Sequence, residues 1–500
     1  MGVVAARVSG TPFASRLRSR NDRIDQGEGN MKFASKVLFL LVSIGAIHAS
    51  AQISNFEHIV IIFQENRTPD NLFQGLCGTN RSLCPKPYDL QNFGFNSKGQ
   101  KIELSPVTLG TNYDLGHGHG SFVEMCDLDT TTNLCKMDGA DKTGCNPAMN
   151  CPPNPQFQFV QTSDVAPYVK MAQQYGWANL MFQTNQGPSA PAHQFIFAGT
   201  SAPTEADDRN ATFVAENPDG LGCLAPLNAV YNLISPQTAP KEFHLINNPL
   251  GTVCFSHPTM ASLLDSNNRT WKYYTAGAGS IWTAPNWIRD ICVPNSDYTR
   301  CTGTEWENNV DLTPKNVLTD IGNCNLANVS WVIPTGQNSD HPGSQSGGPS
   351  WVASIVNAIG NSKTCDNGAG YWKDTAIFLS WDDWGGWFDH EPPTLLSVPN
   401  LGQGGYQYGF RVPLVVISAY TPKGYVNNNR LDFGSILRFV EHNFRIQEGA
   451  LNFADKRATN NLTTFFNLKR APRPFKVIQA PLDTKYFLND NSPIEPPDND

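Results

Sequence analysis

Short apolar runs rich in β-branched residues alternate along the chain with segments whose apolar residues recur at helical spacing. The run FEHIVIIF at residues 56–63 and the run AIFL at residues 376–379 predict buried strands. The alternation predicts one α/β domain with long loop insertions over residues 52–490, and residues 77–160 are especially loop-rich. The other predicted strands are residues 177–182, 241–246, 270–274, 329–333 and 413–417, and the predicted helices are residues 165–175, one beginning near Ser189, 350–359 and 434–444.

Polar residues follow the apolar run at residues 376–379 almost directly. Open α/β sheets bind ligands at the carboxyl ends of their strands, so these residues are candidates for chemistry. Because adjacent strand residues point to opposite faces, two neighbouring acids serve one centre only if the strand ends there, and glycines favour such a break. The stretch fits a metal or acid–base site, and the alternative is a loop with solvated acids. In order, the residues are Asp382, Asp383, Gly385, Gly386, Asp389 and His390.

A carboxylate and an amide follow the first predicted strand, at Glu65 and Asn66. Both side chains offer oxygen, the ligand atom that hard or borderline cations prefer. The alternative is a polar turn, and Asn66-Arg67-Thr68 also fits a glycosylation sequon that would matter in a eukaryotic host.

Ser189 lies in the segment TNQGPSAPAHQF, where Gly187-Pro188 interrupts the chain ahead of a predicted helix. A serine that caps a helix N-terminus meets unpaired N–H groups and the positive end of the helix dipole, which favours an alkoxide nucleophile and a bound phosphate. The alternative is a serine that only caps the helix. The segment is not the G-x-S-x-G elbow of an esterase, so no Ser-His-Asp hydrolase is indicated.

Four of the ten histidines lie in polar, turn-like contexts. A single histidine in such a context is usually structural or exposed, but several beside acids or after strands favour a metal or proton-transfer site. The four are His117 and His119 in YDLGHGHGSF, His341 in NSDHPG, and His390.

Charge and targeting signals bear on partners and location. The net charge of −8 and the pI near 5.7 argue against a nucleic-acid partner. Residues 31–51 have the layout of a signal peptide with cleavage near Ala51, so residues 1–30 are an upstream extension and the mature protein is secreted or periplasmic. No later apolar run reaches the ~20 residues of a membrane span, so we expect no stable membrane insertion. Residues 491–500 are expected to form a flexible tail.

The twelve cysteines all follow the predicted cleavage site. No C-x-x-C pair is present, so disulfides formed in an oxidising compartment are favoured over zinc ligands. The sequence does not determine the pairing. The first candidates are the close pairs 77/84, 126/135, 145/151 and 292/301.

Taken together, these segments resemble the bacterial phosphoesterase family of secreted phospholipases C and acid phosphatases, distant relatives of alkaline phosphatase. The resemblance covers residues 55–446 and implies a mostly parallel central sheet flanked by helices, as in alkaline phosphatase, with the site at the strands' carboxyl ends. It rests on HIVIIFQENRTPDNLF, GPSAPAH, NSDHP, WDDWGGWFDHEPP and GFRVPLVVIS leading to SILRFVEHNF, which occur in the family's order.

The resemblance also implies roles for individual residues around one divalent metal ion, which could be Ca²⁺, Mg²⁺, Mn²⁺ or Zn²⁺. Glu65, Asn66, Asp382 and Asp383 would be metal ligands, and Ser189 would be a nucleophile that touches the metal. His117, His341 and His390 would bind phosphoryl oxygens or move protons, and His119 and His193 would bind substrate.

Three departures from the family pattern put substrate choice in question. Ala192-His193 stands where the family usually has Asn-Arg, Pro69 stands where Phe is usual, and Asp383 stands where many phospholipases C carry Glu. The missing Arg also argues against a sulfatase.

The predicted function is therefore a secreted, metal-dependent phosphomonoesterase of acid phosphatase type. The first alternative is a phospholipase C acting on phosphatidylcholine-like lipids, although the chain ends soon after the last predicted core helix. The second is a secreted binding protein that keeps the fold without catalysis. We expect a phosphate ester, as small molecule or lipid headgroup, as the partner, and the oligomeric state stays open.

Overall fold

An eight-stranded sheet forms the centre of the protein, which we describe from a computed structural model. The structure describes residues 54–78, 87–132, 134–216, 222–225, 229–234, 243–247, 254–344, 346–396 and 406–497. In chain order the sheet strands are β1 (His58–Gln64), β2 (Gly176–Phe182), β3 (Trp271–Tyr274), β4 (Val310–Asp311), β5 (Val329–Val332), β6 (Thr375–Trp381), β7 (Leu414–Ile417) and β8 (Tyr425–Asp432).

The strands lie in the order β4-β3-β5-β1-β6-β7-β2-β8. All neighbours in this sheet pair in parallel except β7, which is antiparallel to both β6 and β2. The prediction of a mostly parallel sheet is therefore confirmed.

Burial on both faces explains why β1 and β6 lack alternating polar residues. Every residue of β6 is buried, and in β1 only His58 is partly exposed. Parallel strands covered on both faces carry continuous runs of branched apolar residues, which is the pattern of HIVIIFQ and TAIFLSW. The strands predicted from the sequence are confirmed to within a few residues at their ends.

Helices flank this sheet and pack in two groups. Helix α3 packs against α7, and α6 packs against α2 and α5. Helix α7 begins with a capping box in which the Asp432 side chain accepts from the Ser435 N–H. The helices of seven residues or more are α1 (His119–Cys126), α2 (Ala166–Gln174), α3 (Ser189–Ala198), α4 (Met260–Ser266), α5 (Asn316–Gly322), α6 (Gly348–Asn361) and α7 (Phe433–Asn443). Shorter helices are Pro69–Leu72, Glu205–Arg209, Thr304–Asn309, Ala454–Arg457 and Thr484–Asn489.

Long insertions between these elements are crossed by disulfides, as expected. Three of the four close pairs are confirmed, and Cys223–Cys254 and Cys324–Cys365 join more distant cysteines. Cys77 is also disulfide-bonded, but Cys84, its predicted partner, lies outside the described residues. The insertions contain the small ribbons Phe93–Phe95 with Lys101–Glu103, Ser105–Val107 with Gln158–Val160, Leu128–Asp129 with Leu134–Cys135, Val293–Pro294 with Cys301–Thr302, Leu395–Leu396 with Tyr406–Gln407, and Phe213–Val214 with Val230–Ile234 and Phe243–Asn247.

The ends of the chain bear on the predicted domain limits. The upstream extension and the signal peptide, residues 1–51, lie outside the described residues. At the other end the Gly336 N–H donates to the Glu495 carbonyl over 2.9 Å, and the flexibility of residues 491–500 stays a prediction. Within the described ranges, no helix has the length and apolar character needed to cross a bilayer.

The Asp374 carboxyl group, just before β6, should make stability depend on pH. Burial and the nearby Asp366 and Glu57 carboxylates raise the pKa of Asp374 to about 7. The folded state therefore binds this proton more tightly than the unfolded state, whose pKa is near 3.8. The resulting stabilisation is complete below the unfolded pKa and is lost as pH rises through about 7.

We therefore expect Asp374→Asn to reduce the loss of unfolding free energy between pH 5 and pH 8, as measured by urea denaturation at both values. The control is Asp290→Asn, which replaces an exposed carboxylate and should show the same loss of unfolding free energy as the unsubstituted protein. Equal losses in Asp374→Asn and the unsubstituted protein would contradict the prediction.

Candidate active site

The parallel pairing of β1 with β6 brings two sets of polar residues to one edge of the sheet. Gln64 lies opposite Trp381 as the last pair of the two strands, so the next residues of both strands emerge side by side. The Asn66 N–H donates to Asp382 Oδ1 over 3.0 Å, and the Arg67 N–H donates to the Asp383 carbonyl over 3.0 Å. The predicted ligands of the two loops are thus neighbours.

The backbone after both strands bends sharply, as the glycines predict. Strand β6 ends at Trp381, and Gly385 and Gly386 have φ of 59° and 72°. A Cβ on Gly385 would lie 2.5 Å from the Asn66 carbonyl oxygen, so this close approach of the two loops requires glycine. Asn66 itself has φ of 61°, an uncommon conformation that asparagine tolerates better than most residues and that recurs at functional sites.

Ser189 is the first residue of α3 and is almost fully buried. We predicted that it caps the helix, but Pro188 occupies the cap position and no side chain caps the helix N-terminus. The Ser189 hydroxyl instead donates to Asp383 Oδ2 over 3.2 Å. Its oxygen therefore lies at the positive end of the helix dipole, next to the carboxylates after β6.

His193 lies one helical turn after Ser189 and faces the same group of carboxylates. Its Nε2 is 3.6 Å from Glu65 Oε2 and 3.8 Å from Asp382 Oδ2, and all three side chains are inaccessible to solvent. Burial lowers the pKa of His193 to about 4, although Asp382 opposes this effect, so the ring is neutral. We predicted a substrate contact for His193, and the structure brings it next to the predicted metal ligands.

His117 and His341 lie on the other side of Asn66. His117 Nε2 is 3.3 Å from Asn66 Nδ2, and the two imidazole rings are 6.4 Å apart. Their Nδ1–H groups donate to the carbonyls of Leu115 and Pro342 respectively, so Nε2 is the basic atom of each neutral ring. Asp114 completes a group with both histidines, in which the possible ligand atoms lie within 4.8 Å of one another.

Asp114 was not among the site residues predicted from the sequence. The signal available was its place three residues before His117 in YDLGHGHG.

His119 faces the loop that leads to Ser189. Its Nδ1–H donates to the Gln186 carbonyl over 2.8 Å, and its backbone N–H donates to Glu216 over 2.8 Å. A cavity of about 530 Å³ opens here, with His117, Pro188 and Glu216 in its wall. The predicted contact of His119 with substrate stays a prediction.

His390 belongs to a separate cluster, in which His390 and Asp89 are partly exposed and Asp70 is buried. Its Nδ1 and Nε2 lie 2.6 Å from Asp70 and 3.1 Å from Asp89. Burial lowers the pKa of His390, but the Asp70 charge and hydrogen bonds to both carboxylates outweigh burial and raise this pKa to about 10. Arg411 donates to both oxygens of Asp389 in the same cluster. The protonated ring is well placed to join two loops, and its predicted catalytic role stays a prediction.

The residues at the sheet edge fit a divalent cation. Burial, together with the neighbouring Asp382 carboxylate, raises the pKa of Asp383, as expected where negative charges are crowded away from water. Asn66 Oδ1 and Asp382 Oδ2 are buried without a hydrogen-bond partner among the described residues. Such oxygens are costly to bury, and a cation held with Glu65 would satisfy them.

Comparisons with known proteins bear on the family to which the chain belongs. The model of the phosphoesterase family matches residues 56–447. The chain is similar to phospholipase C A of Mycobacterium tuberculosis, with 25% identity over 86% of this chain and 80% of that protein. It is also similar to the non-hemolytic phospholipase C of Pseudomonas aeruginosa, with 23% identity over 85% of this chain and 59% of that protein.

Among solved structures, an alkaline phosphatase superfamily protein from Vibrio parahaemolyticus matches with a TM-score of 0.33 and 10% identity, over 79% of this chain and 68% of that one. A TM-score this low supports no detailed comparison of the two folds.

Replacing Arg411 by Met should destabilise the protein strongly. Arg411 is fully buried and pairs with Asp389, so its removal leaves buried carboxylates without their main counter-charge. We expect a loss of about 3–5 kcal/mol in unfolding free energy, measured by urea denaturation. The matched control is Arg209→Met, because Arg209 forms an exposed pair with Glu205 that should contribute at most about 0.5 kcal/mol. Similar losses in the two variants would contradict the prediction.

Proposed function

The chain belongs to the phosphoesterase family, and on that premise we propose that it hydrolyses phosphate monoesters through a phosphoserine formed at Ser189. Family membership and the similar phospholipases C make it a hydrolase of phosphoric esters. The observation that carries the proposal is the 3.2 Å hydrogen bond from Ser189 to Asp383 at the start of α3. This contact joins a possible nucleophile, a carboxylate and a helix N-terminus at one point.

In the first step Ser189 Oγ attacks phosphorus, its proton passes to Asp383 Oδ2, and the bond to the ester oxygen breaks. Asp383 orients the hydroxyl by accepting its hydrogen bond, and the N–H groups at the start of α3 favour the negative phosphoryl oxygens. A divalent cation held by Glu65, Asn66, Asp382 and Asp383 would neutralise phosphoryl charge and lower the pKa of the Ser189 hydroxyl.

The second step needs a base for water, which attacks phosphorus as the bond to Ser189 Oγ breaks. His117 and His341 are the candidates, because their Nδ1–H groups are bound to carbonyls and each Nε2 can accept a proton. In the first step the protonated form of one of these histidines gives its proton to the leaving alkoxide and so becomes the base for water. In the second step the proton on Asp383 returns to Ser189 Oγ. The cavity beside His117 and Pro188, about 530 Å³, is in the size range of small-molecule sites.

A phospholipase C is the second candidate, because relatives with that name match most of the chain. In that case the ester would be a phosphodiester at a lipid surface, and the same serine would carry the headgroup phosphate. Secretion, which the predicted signal peptide supports, suits either substrate.

Ser189→Ala should lower kcat by at least about a thousandfold, because it removes the nucleophile. The melting temperature should change little, because the variant loses one hydroxyl. Mass spectrometry of acid-quenched enzyme should find phosphate on the Ser189 peptide in the unsubstituted protein only. Ser354→Ala is the control, since Ser354 is equally buried but lies in α6. Unchanged turnover in Ser189→Ala would refute the nucleophile assignment.

A substrate panel separates the two candidate functions. We expect kcat/KM for p-nitrophenyl phosphate to exceed that for p-nitrophenyl phosphorylcholine and for phosphatidylcholine vesicles. A strong preference for vesicles over the soluble monoester would replace the monoesterase by the phospholipase C. Ser189→Ala should be inactive on the whole panel, which shows that one site serves every substrate.

A further inference from the structure

His193 has no role in the mechanism above, although it lies in the most deeply buried part of the site. Every residue of α3 is buried, and Ser189 and His193 are four residues apart on it. Side chains with that spacing lie on the same face of a helix. The face that presents the nucleophile therefore also presents an imidazole.

The contacts of the ring indicate which nitrogen is basic. Tyr273 donates its hydroxyl hydrogen to the Trp282 carbonyl over 2.9 Å, so its oxygen can accept. His193 Nδ1 lies 3.5 Å from that oxygen, which suits a weak hydrogen bond from Nδ1–H. The Trp282 ring packs edge-on against the imidazole, with 5.3 Å between centroids. The lone pair is then on Nε2, which faces the carboxylates.

Distances distinguish a shared cation from a direct contact. His193 Nε2 is 3.6 Å from Glu65 and 3.8 Å from Asp382, and all three ligand atoms lie within 4.8 Å of one another. A hydrogen bond would be about 2.7–3.2 Å long. Atoms bound to one ion with bonds of about 2.1 Å lie about 3.0–3.5 Å apart, close to the spacing seen here. A lone pair directed at two carboxylates is favourable only with a positive charge between them.

We propose that His193 is a nitrogen ligand of the cation that Glu65 and Asp382 bind, and that the site therefore prefers zinc to calcium and magnesium. Imidazole nitrogen suits borderline cations, whereas calcium and magnesium prefer oxygen ligands throughout. The inference rests on the metal site of the proposed function, and it assigns that site a ligand and a class of ion.

Metal titration of the whole protein tests this inference without using activity. Protein freed of metal by chelator dialysis is titrated with Zn²⁺, Mn²⁺, Mg²⁺ and Ca²⁺ against a competing chelator, for the unsubstituted protein, His193→Asn and His193→Phe. We expect the Zn²⁺ affinity to fall at least tenfold in the variants and the Mg²⁺ affinity to change less, so that the selectivity ratio falls. His257→Phe is the control, since His257 is also buried but outside this site.

A second measurement does not depend on the folding of a variant. Anomalous diffraction from crystals of the unsubstituted protein soaked in Zn²⁺ or Mn²⁺ should place an ion about 2.1 Å from His193 Nε2. An ion more than about 3 Å from His193 Nε2, or unchanged metal selectivity in the folded variants, would overturn the inference. A raised KM in those variants would then favour the substrate contact that the sequence predicted. Full activity in chelated protein that binds no ion would instead refute the metal site of the proposed function.

Discussion

The parallel pairing of β1 with β6 is the constraint on which the candidate site depends. It places Glu65 and Asn66 next to Asp382, and Arg67 next to Asp383, at the carboxyl edge of two strands that are buried on both faces. Negative charge in such a place is costly unless it is paired. The raised pKa of Asp383 shows this cost, and the neutral ring of His193 supplies no positive charge to offset it. A bound cation is the simplest way for this arrangement to be stable.

The loops after β1 and β6 are held together well beyond the candidate ligands. Thr68 donates to the Phe388 carbonyl, and His390 joins Asp70 through both its backbone N–H and its ring. Arg411 connects this pair of loops to β2 by donating to the Asn179 carbonyl over 2.8 Å. The loop after β2 leads to Ser189. The buried Arg411 guanidinium therefore connects β2 with the loops after β1 and β6, the three segments that contain the candidate site residues. Such preorganisation keeps a nucleophile and its partners in register.

The chain belongs to the phosphoesterase family, and the segment of the proposed nucleophile departs from the pattern that the family resemblance implies. Ala192-His193 replaces the expected Asn-Arg, so a guanidinium directed at phosphate is absent from this position. In the structure His193 approaches Glu65 and Asp382. The residue that departs from the family pattern therefore lies beside the predicted metal ligands, a position that the sequence alone did not indicate.

Local pattern was enough to predict six of the eight strands of the sheet and the polar residues that follow β1 and β6, whereas β4 and β8 were missed. β1 and β6 were recognisable because strands buried on both faces are continuously apolar, and Ser189 because a Gly-Pro break precedes an apolar helix. The short helices α1, α4 and α5 were missed, and in α1 the glycine and polar residues resemble the surrounding loop. Three of the close cysteine pairs were also correct, because short loops favour local disulfides.

Only the tertiary structure decided which distant residues meet. Helix α3 is buried all round and has no exposed face, so no amphipathic periodicity marked the direction in which His193 points. His390 was predicted to act in catalysis, yet its partners Asp70 and Asp89 lie 320 and 301 positions away. Side-chain chemistry can be recognised from local sequence, but the order of strands in a sheet depends on packing across the whole chain. That order determines which carboxylates, imidazoles and hydroxyl groups share one buried space.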